Sequence, residues 1–325
     1  MIDFCILGSG IAGSTIADLL SKKYSVEVFD KARGPGGRSA NKRFKSQLSF
    51  DHGTQYISPK TKEFQKFINN LLQKKIVKVW HGNHLDFSFG SKKNKHIYIG
   101  TKKNNDICKF QLKKIKQVYS SQITRIDRKK NYWEITINNQ KKYNFKSLIL
   151  TCPYPQLKKL AKKYLNKTML DLNVKMEPNI TLMLAIKNQK NIPVSSIKFN
   201  DDILAWAANE NSKNRFKSTT NLWTLQTTSR WAKKYINSYR NDKKIINKLK
   251  SRFLTMTGFN NTNVSFKKIH GWKYSYNLKE TKLKSYWNSK INFGVCGDWF
   301  LGPKVENSWQ SANDLLKKIK KNPLS

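Results

Sequence analysis

The feature that most constrains this chain is a short glycine-rich turn near the N-terminus, Gly8-Ser9-Gly10-Ile11-Ala12-Gly13. An apolar run at residues 4–7 precedes the turn, and apolar residues at helical spacing follow it to Leu20. This pattern predicts a strand, a tight turn and a helix. A strand that leads directly into a helix in this way is typical of the first unit of a doubly wound α/β domain.

The composition of the turn indicates a nucleotide-binding site. Gly8 permits the tight turn, Gly10 removes a side chain that would keep the backbone from a pyrophosphate, and Gly13 lets helix and strand pack closely. The start of the helix adds free N–H groups and a partial positive charge that stabilise a diphosphate. Residues 26–29 alternate like a second strand and end at Asp30. A carboxylate at this position can accept hydrogen bonds from a ribose.

The segment that follows Asp30 indicates which nucleotide is bound. It reads Lys31-Ala-Arg33-Gly-Pro-Gly-Gly-Arg38, with two arginines around small residues. Their guanidinium groups can reach the same pyrophosphate from the other side, a second clamp that a plain nicotinamide dehydrogenase does not need. The segment resembles the Arg-Gly-x-Gly-Gly-Arg motif of the flavin-containing amine oxidase superfamily. The resemblance implies FAD rather than NAD as the tightly held cofactor.

The chain is strongly basic, with 63 Lys and Arg against 20 Asp and Glu and a formal net charge of +43. Such a field attracts nucleic acid, anionic lipid or anionic small molecules. The lysines are scattered through nearly every segment beside abundant asparagine, which favours solvated positions filled by biased codon usage over a specific nucleic-acid partner. The field is still expected to help an anionic dinucleotide reach its site, less so as salt rises.

Length and residue usage predict a reduced, cytoplasmic enzyme. At 325 residues the chain can form two domains. It has no run of 18 apolar residues, and its first apolar residues belong to the first strand, so neither a membrane span nor a signal peptide is expected. His81 and His84 lack partners at metal-ligand spacing, and no metal site is predicted. Four widely spaced cysteines are expected to be reduced: Cys5, Cys108, Cys152 and Cys296.

The pattern along the chain predicts a Rossmann-type domain and a second α+β domain. The resemblance implies that the first domain binds FAD and is of the GR2 or p-hydroxybenzoate hydroxylase type. Apolar strands at 147–153 and 291–296, with a helix from about Glu306, return the chain to the first domain. Strands around two helices between 156 and 289 suit a sheet with helices on one face, which could cover a flavin. A helix is predicted at 107–118. The predicted FAD domain is 1–75, 117–155 and 290–325, and the substrate domain is 76–116 and 156–289.

A polar cluster at residues 50–56, Phe-Asp-His-Gly-Thr-Gln-Tyr, follows the arginine segment. Burying so many polar groups is costly unless each has a partner, which indicates the lining of a polar cavity. The cluster resembles renalase-like bacterial FAD oxidoreductases, and the resemblance extends over nearly the whole chain. Further elements that carry it are Leu204-Ala-Trp206-Ala, His270-x-Trp272-x-Tyr274, Gly297-Asp298-Trp299 and Val305-Glu306-x-x-Trp309.

The resemblance implies roles for particular residues. It places Ile11 and Ala12 at the cofactor through their backbone, Asp30 at the adenosine ribose and Ile123 at the adenine. The implied FAD site comprises Gly8, Gly10, Ile11, Ala12, Gly13, Asp30, Lys31, Arg38, Gln55, Tyr56, Ile123, Asp298 and Val305. The implied substrate site comprises Tyr56, Lys60, Trp206, His270 and Trp299.

The implied activity is oxidation of the 2- and 6-dihydro isomers of NAD(P)H to NAD(P)+, with hydride passing to flavin and then to O2 to give H2O2. This chemistry needs positioning more than acid–base groups. His270 is the one candidate for a catalytic role. The alternative is that its side chain only makes a structural hydrogen bond. Two departures bear on the substrate: Lys60 stands where arginine would make a better phosphate fork, and Gln226 where histidine is expected.

Two other functions remain open from the sequence. One is a broader flavin amine oxidase or desaturase, although neither an aromatic cage nor a lysine near the flavin can be identified. The other is a basic nucleic-acid-binding protein that keeps a flavin fold as a scaffold, which would bind with a steep salt dependence.

Overall fold

The computed structural model describes residues 1–45, 47–87, 97–187, 192–240 and 242–324. The strands in these ranges are β1 (Ile2–Leu7), β2 (Val26–Phe29), β3 (Asn41–Arg43), β4 (Ser49–Asp51), β5 (Val77–Val79), β6 (His84–Asp86), β7 (Tyr98–Gly100), β8 (Lys116–Val118), β9 (Ile123–Arg128), β10 (Trp133–Ile137), β11 (Lys141–Leu150), β12 (Met176–Ile186), β13 (Ser196–Lys198), β14 (Leu204–Asn209), β15 (Asn221–Thr227), β16 (Val264–Asn277), β17 (Tyr286–Asn288) and β18 (Phe293–Val295). The helices are α1 (Ile11–Leu20), α2 (Lys62–Gln73), α3 (Asp106–Gln111), α4 (Tyr154–Ala161), α5 (Lys167–Leu170), α6 (Ser229–Tyr235), α7 (Lys243–Thr257) and α8 (Val305–Lys321).

The first sheet has a parallel centre in the order β18-β11-β1-β2-β8. Residues 4–7 of β1 are buried on both faces, as their uninterrupted apolar sequence predicts. Phe4 and Ile6 pack in a core with residues of α1 and α8, whereas Cys5 and Leu7 pack in the core on the other face. The predicted doubly wound first domain is therefore confirmed.

Strand β11 connects two parts of this sheet. Its last residues pair with β1 in parallel, and its first residues pair with β10 in an antiparallel hairpin that continues into β9. Trp133 of β10 is fully buried, and its indole N–H donates to the Ile291 carbonyl at 2.7 Å. The hairpin is thereby fixed to the C-terminal part of the chain.

The second sheet has the order β16-β12-β15-β14-β13-β6, and its pairs are antiparallel except for β13 with β6. Leu182, Leu184 and Leu225 lie on one face and pack in a core with residues of α6 and α7 such as Trp231 and Phe253. The sheet thus has helices on one face, and its other face is available to the first domain.

The predicted helix at 107–118 is shorter in the structure. It ends at Gln111, and Lys116–Val118 instead pair with β2 at the edge of the first sheet. Gln111 accepts a hydrogen bond from Ser14 of α1 at 2.8 Å, and Lys116 forms an ion pair with Glu27 of β2 at 2.8 Å. The open edge of β2 provides backbone partners that a continued helix would forgo. Residues 106–118 therefore lie against the first sheet, although the sequence assigns most of them to the second domain.

The segment at 80–100 is only partly described. β5 pairs with β7, and β6 joins the second sheet through β13, while residues 88–96 lie outside the described ranges. No disulfide forms in the described structure, and Cys5, Cys108 and Cys296 are buried. Over the same residues, no helix combines the length and apolarity that crossing a bilayer requires.

Candidate active site

The glycine-rich turn has the close contacts that its sequence predicts. Gly8 has a φ of +110°, and a Cβ on Gly13 would lie 1.9 Å from the Gly8 carbonyl oxygen, so neither position accepts a side chain without strain. A Cβ on Gly10 would have no protein atom nearer than 3.8 Å. The nearest atoms are Gly37 Cα and the Gly36 carbonyl oxygen, so Gly10 lies against the glycines of the arginine segment.

Two helix N-termini lie at this edge of the sheet. The parallel strands β1 and β18 have their C-terminal ends at one edge, and α1 and α8 begin shortly after them. Neither helix has a side-chain cap at its N-terminus, where Gly10 and Lys304 stand. Their first backbone N–H groups therefore remain available, and with the helix dipoles they favour an anion such as a diphosphate.

Asp30 is held rigidly at the end of β2. Its Oδ2 accepts hydrogen bonds from the Ser9 backbone N–H at 2.7 Å and the Ser9 hydroxyl at 2.6 Å, and its Oδ1 accepts from the Ala32 N–H at 2.8 Å. The Asp30 carbonyl accepts from Ser121 N–H at 2.9 Å, which brings the start of β9, with Ile123, beside it. The carboxylate is thus fixed, with one lone pair of Oδ1 left for a ribose hydroxyl. Lys31 next to it is exposed.

Arg38 makes a bidentate ion pair with Asp298, at 2.8 Å from Nη1 to Oδ2 and 2.5 Å from Nη2 to Oδ1. Nη1 also donates to the Ser275 carbonyl of β16 at 2.7 Å. The pair therefore joins the arginine segment, the end of β18 and the second sheet. A guanidinium has five N–H donors, and these contacts leave two of them for a ligand.

Residues 51–56 of the polar cluster lie between the two domains. The Arg38 carbonyl accepts a hydrogen bond from Thr54 N–H at 2.8 Å, and a Cβ on Gly53 would lie 1.9 Å from that same oxygen. Gln55 is buried, and its amide group donates to the carbonyls of Asp51 and Gly53. The segment is therefore tightly folded against Arg38.

A buried ionic cluster ties this segment to the second domain. Lys213 is fully buried, and its ammonium group lies 3.0 Å from Asp51 Oδ2, 2.9 Å from Glu210 Oε2 and 3.4 Å from Gln55 Oε1. Arg215 forms a further ion pair with Asp51 and donates to the Gly100 carbonyl. Two cations and two carboxylates balance in charge, which is the condition for burying them.

The cations hold the pKa of Asp51 well below its usual range, because the guanidinium and the ammonium overcome the effect of burial. Burial raises the pKa of Glu210, against the opposing effect of Lys213. Glu210 still accepts hydrogen bonds from Thr224 Oγ1 at 2.6 Å and from the Asp51 backbone N–H at 3.2 Å. These donors stabilise its carboxylate form.

A row of side chains on the second sheet faces the polar segment. Trp206, Gln226, Thr181 and His270 lie opposite one another across β14, β15, β12 and β16. Residues in such register share one face of a sheet. We call these four residues the cross-sheet row.

The row contacts the segment at three points. The Trp206 and Tyr56 rings lie 5.4 Å apart, Gln226 donates to the Gly53 carbonyl at 2.7 Å, and the His270 ring meets His52 edge-on at 4.9 Å. The same face therefore brings together Trp206 and His270 of the predicted substrate site with Tyr56.

The two histidines favour their neutral forms. Burial, with a smaller effect of His270, lowers the pKa of His52 to about 4. Burial and the nearby cations Arg240 and Lys42 lower the pKa of His270. His52 Nδ1 and the Trp206 indole N–H are buried without a hydrogen-bond partner in the structure. Unsatisfied polar atoms beside the row indicate a surface that a polar ligand can complete.

The remaining predicted residues lie at different places. Lys60 has an exposed side chain, and its backbone N–H donates to Glu306 Oε2 at 2.8 Å, which fixes it to the first turn of α8, where Val305 is the first residue. Trp299 lies in the first-domain core instead, fully buried, with its indole N–H on the Cys152 carbonyl at 3.1 Å. Trp299 therefore presents no exposed atom to a substrate.

Sequence reasoning missed Thr181 and the ionic cluster. Thr181 is the one polar residue in the run at 180–186 of β12, which is a signal for a face that meets polar groups. Glu210 and Lys213, three residues apart after β14, resemble an ordinary exposed pair. Only their position opposite Asp51 shows that they are buried.

Comparison with known proteins agrees with this architecture. Residues 6–71 match the family model of an NAD(P)-binding Rossmann-like domain. Mouse (Mus musculus) renalase is 30% identical over 175 residues, which is 50% of this chain and 50% of renalase. The chain thus matches about half the length of this curated relative.

Solved structures with low sequence identity share the fold over nearly the full length. A putative protoporphyrinogen oxidase from Exiguobacterium has a TM-score of 0.75 at 8% identity, covering 98% of this chain and 99% of that chain. A putrescine oxidase redesigned in its cofactor binding has a TM-score of 0.71 at 8% identity, with the same coverage. Cyclohexylamine oxidase from Brevibacterium oxydans has a TM-score of 0.69 at 9% identity and again covers 98% and 99%.

The residues at this edge of the first sheet fit FAD. The uncapped helix ends and the fixed Asp30 suit its diphosphate and ribose, and Arg38 retains free donors. The chain is therefore similar in sequence to renalase over about half of its length, and it shares the fold of these solved oxidases over nearly its full length.

Proposed function

We propose that the protein is an FAD-dependent oxidase of 2- and 6-dihydro isomers of NAD(P)H, with O2 as final acceptor and NAD(P)+ and H2O2 as products. The observation that carries the proposal is the cross-sheet row, which sets an indole, an amide, a hydroxyl and an imidazole against the segment at 51–56. An aromatic and polar surface of this kind suits a flat ring that carries a carboxamide.

Bound FAD would supply the two-electron chemistry. The protein would hold its diphosphate at the starts of α1 and α8, its ribose at Asp30 and its flavin end near Gln55 and Tyr56. Ile123 would lie at the adenine. The pair of Arg38 and Asp298 would stand between the phosphates and the second sheet, where the chain approaches β16.

We expect Asp30→Ala to weaken FAD binding by about 10- to 100-fold, because it removes hydrogen bonds to a charged acceptor worth roughly 1.5–3 kcal/mol. The measurement is FAD fluorescence titration of the apoprotein. Asp3→Ala is a matched control, since Asp3 also accepts from a serine N–H and hydroxyl, at 2.9 and 2.7 Å. Asp3 stands at the other end of β1, so the control should keep its FAD affinity. Equal losses in both variants would remove Asp30 from the cofactor site.

The row would orient the substrate ring. His270 stays neutral near pH 7 and can donate or accept one hydrogen bond. The free indole N–H of Trp206 offers a donor at the other end of the row. Neither group needs to transfer a proton for hydride to leave an electron-rich ring, so positioning is the contribution expected of both.

We expect His270→Ala to retain FAD and to lower kcat/KM for 6-dihydro-NAD by up to roughly tenfold, the value of one neutral hydrogen bond. Stopped-flow reduction of the bound flavin measures the effect. His84→Ala is the control, because His84 is also half-buried on the second sheet and hydrogen-bonded, to Ser196 at 2.8 Å, but lies on β6 at the opposite edge. Unaltered kinetics in the His270 variant would exclude it from the site.

Oxidation of an amine is the second candidate, supported by the fold that the chain shares with putrescine and cyclohexylamine oxidases. A peroxide assay with a panel of 2-dihydro-NAD, 6-dihydro-NAD, NADH and simple amines separates the two. Peroxide from the two isomers alone supports our proposal. Peroxide from amines, with none from the isomers, would replace it with amine oxidation.

A further inference from the structure

A pocket of about 490 Å³ lies on the outer side of His270, at the free edge of the second sheet. In the described part of the chain, β16 pairs only with β12, so its other edge is open. His270 belongs both to the cross-sheet row and to this pocket. We call it the edge pocket, and its lining consists of Tyr239, Arg240, Ile246, Lys267, Lys268, Ile269 and His270.

The wall of the edge pocket depends on Gly271. A Cβ there would lie 2.4 Å from Tyr239 Cε1, so only glycine lets the tyrosine ring close onto the strand. Tyr239 is buried, and its hydroxyl accepts a hydrogen bond from Arg240 Nε at 2.9 Å. The Arg240 guanidinium is thereby held at the pocket, with its terminal N–H groups left for a ligand.

The cations of the edge pocket have no carboxylate partner. Arg240, Lys267 and Lys268 are exposed, and in the described ranges none of them forms an ion pair with an acidic group. No Asp or Glu falls in the gaps between those ranges. Other basic residues nearby are compensated, as in the ion pairs of Lys233 with Glu177 and Arg252 with Asp201.

Positive charges near the edge pocket also affect His270 of the cross-sheet row. Burial lowers the pKa of His270, and the positive charges of Arg240 and Lys42 lower it further. Uncompensated cations around a concave surface with a tyrosine and two isoleucines suit a phosphate joined to a flat or apolar group. A nucleotide has this combination.

We propose that the edge pocket binds a phosphate group of the dinucleotide substrate. The inference rests on the proposed function: a nicotinamide placed against the cross-sheet row would extend past His270 and over the free edge of β16. Arg240 and Lys268 would bind the phosphate, while Tyr239 and Ile246 would contact the adjoining nucleoside. The pocket would then favour dinucleotides over a mononucleotide.

The kinetic test compares the double variant Arg240→Gln/Lys268→Gln with Lys129→Gln/Lys130→Gln, which removes two exposed charges from the turn between β9 and β10. The substrates are the 6-dihydro forms of NMN, NAD and NADP. We expect KM for a dinucleotide to rise at least tenfold in the first variant, with kcat unchanged and the control within about twofold. Equal rises for NAD and NADP identify the pyrophosphate, and a rise for NADP alone identifies the 2′-phosphate. Unchanged KM values for both dinucleotides would overturn the proposal.

A second measurement separates this proposal from the enzyme activity. Calorimetry on the FAD-saturated protein measures binding of ADP and 2′,5′-ADP, which need no turnover. We expect the wild type to bind at least one of them and the double variant to lose about tenfold in affinity, with a weaker salt dependence. If no dihydronicotinamide is oxidised but this difference remains, the proposed function fails and the phosphate site stands. If neither nucleotide binds the wild type, the phosphate site fails.

Discussion

Replacement of Lys213 by methionine is expected to lower the free energy of unfolding by about 3–5 kcal/mol, the usual cost of breaking a buried ion pair from one side. Lys213 is fully buried and compensates Asp51 and Glu210 together. Methionine fills a similar volume but leaves Arg215 as the only cation against two carboxylates. Urea denaturation followed by tryptophan fluorescence measures the loss.

A second substitution tests whether the loss of stability comes from the unbalanced buried charge. Adding Glu210→Gln to Lys213→Met restores the charge balance and should recover at least half of the loss. The single variant should also depend on pH. Without Lys213 the pKa of Glu210 is raised further above its ordinary value of 4.5, so the folded protein binds a proton that the unfolded chain releases. The loss of stability in the Lys213→Met variant should therefore grow as the pH rises above about 5. A loss below about 1 kcal/mol would show that the cluster contributes little.

Arg38→Ala is expected to have the largest effect on the cofactor, with FAD affinity lower by about 100-fold, or about 2.7 kcal/mol. The substitution removes the guanidinium that we propose binds the phosphates, and it leaves the buried Asp298 carboxylate without its bidentate partner. Equilibrium dialysis against FAD measures the affinity, and thermal unfolding of the apoprotein reports the loss of the ion pair separately.

Two further variants serve as controls for Arg38→Ala. Arg252→Ala removes another Arg–Asp pair, with 2.7 Å between Nη2 and Asp201 Oδ1, on α7 away from the proposed cofactor site, and should leave FAD affinity unchanged. Arg38→Lys keeps the charge but not the fork, and should fall between the wild type and Arg38→Ala. If Arg38→Ala retains wild-type FAD affinity, the role of this segment in cofactor binding is refuted.

The sequence predicts the first domain well because its signals are local. The strand, turn and helix at the N-terminus, and Asp30 at the end of β2, follow from residues that are neighbours in the chain. The close contact between Gly13 and the Gly8 carbonyl has the same origin. Local spacing therefore predicts the geometry of the turn and the position of Asp30.

The second half of the site depends on contacts between distant segments. Trp206 and His270 share a face only because β14, β15, β12 and β16 pair in one register, which no local pattern specifies. Lys213 looks solvated in the sequence and becomes buried only through Asp51, which lies in the other domain. Trp299, an aromatic residue beside Asp298, appears equally suited to a substrate, yet it packs into the core.

The proposed oxidation of dihydronicotinamide isomers is tested most directly by anaerobic mixing of the FAD-bound protein with 6-dihydro-NAD and, separately, with ordinary NADH. Flavin absorbance near 450 nm reports reduction of the cofactor. The proposed function predicts rapid bleaching by the isomer and little by NADH. An FAD-bound protein that neither compound bleaches would contradict the proposed substrate.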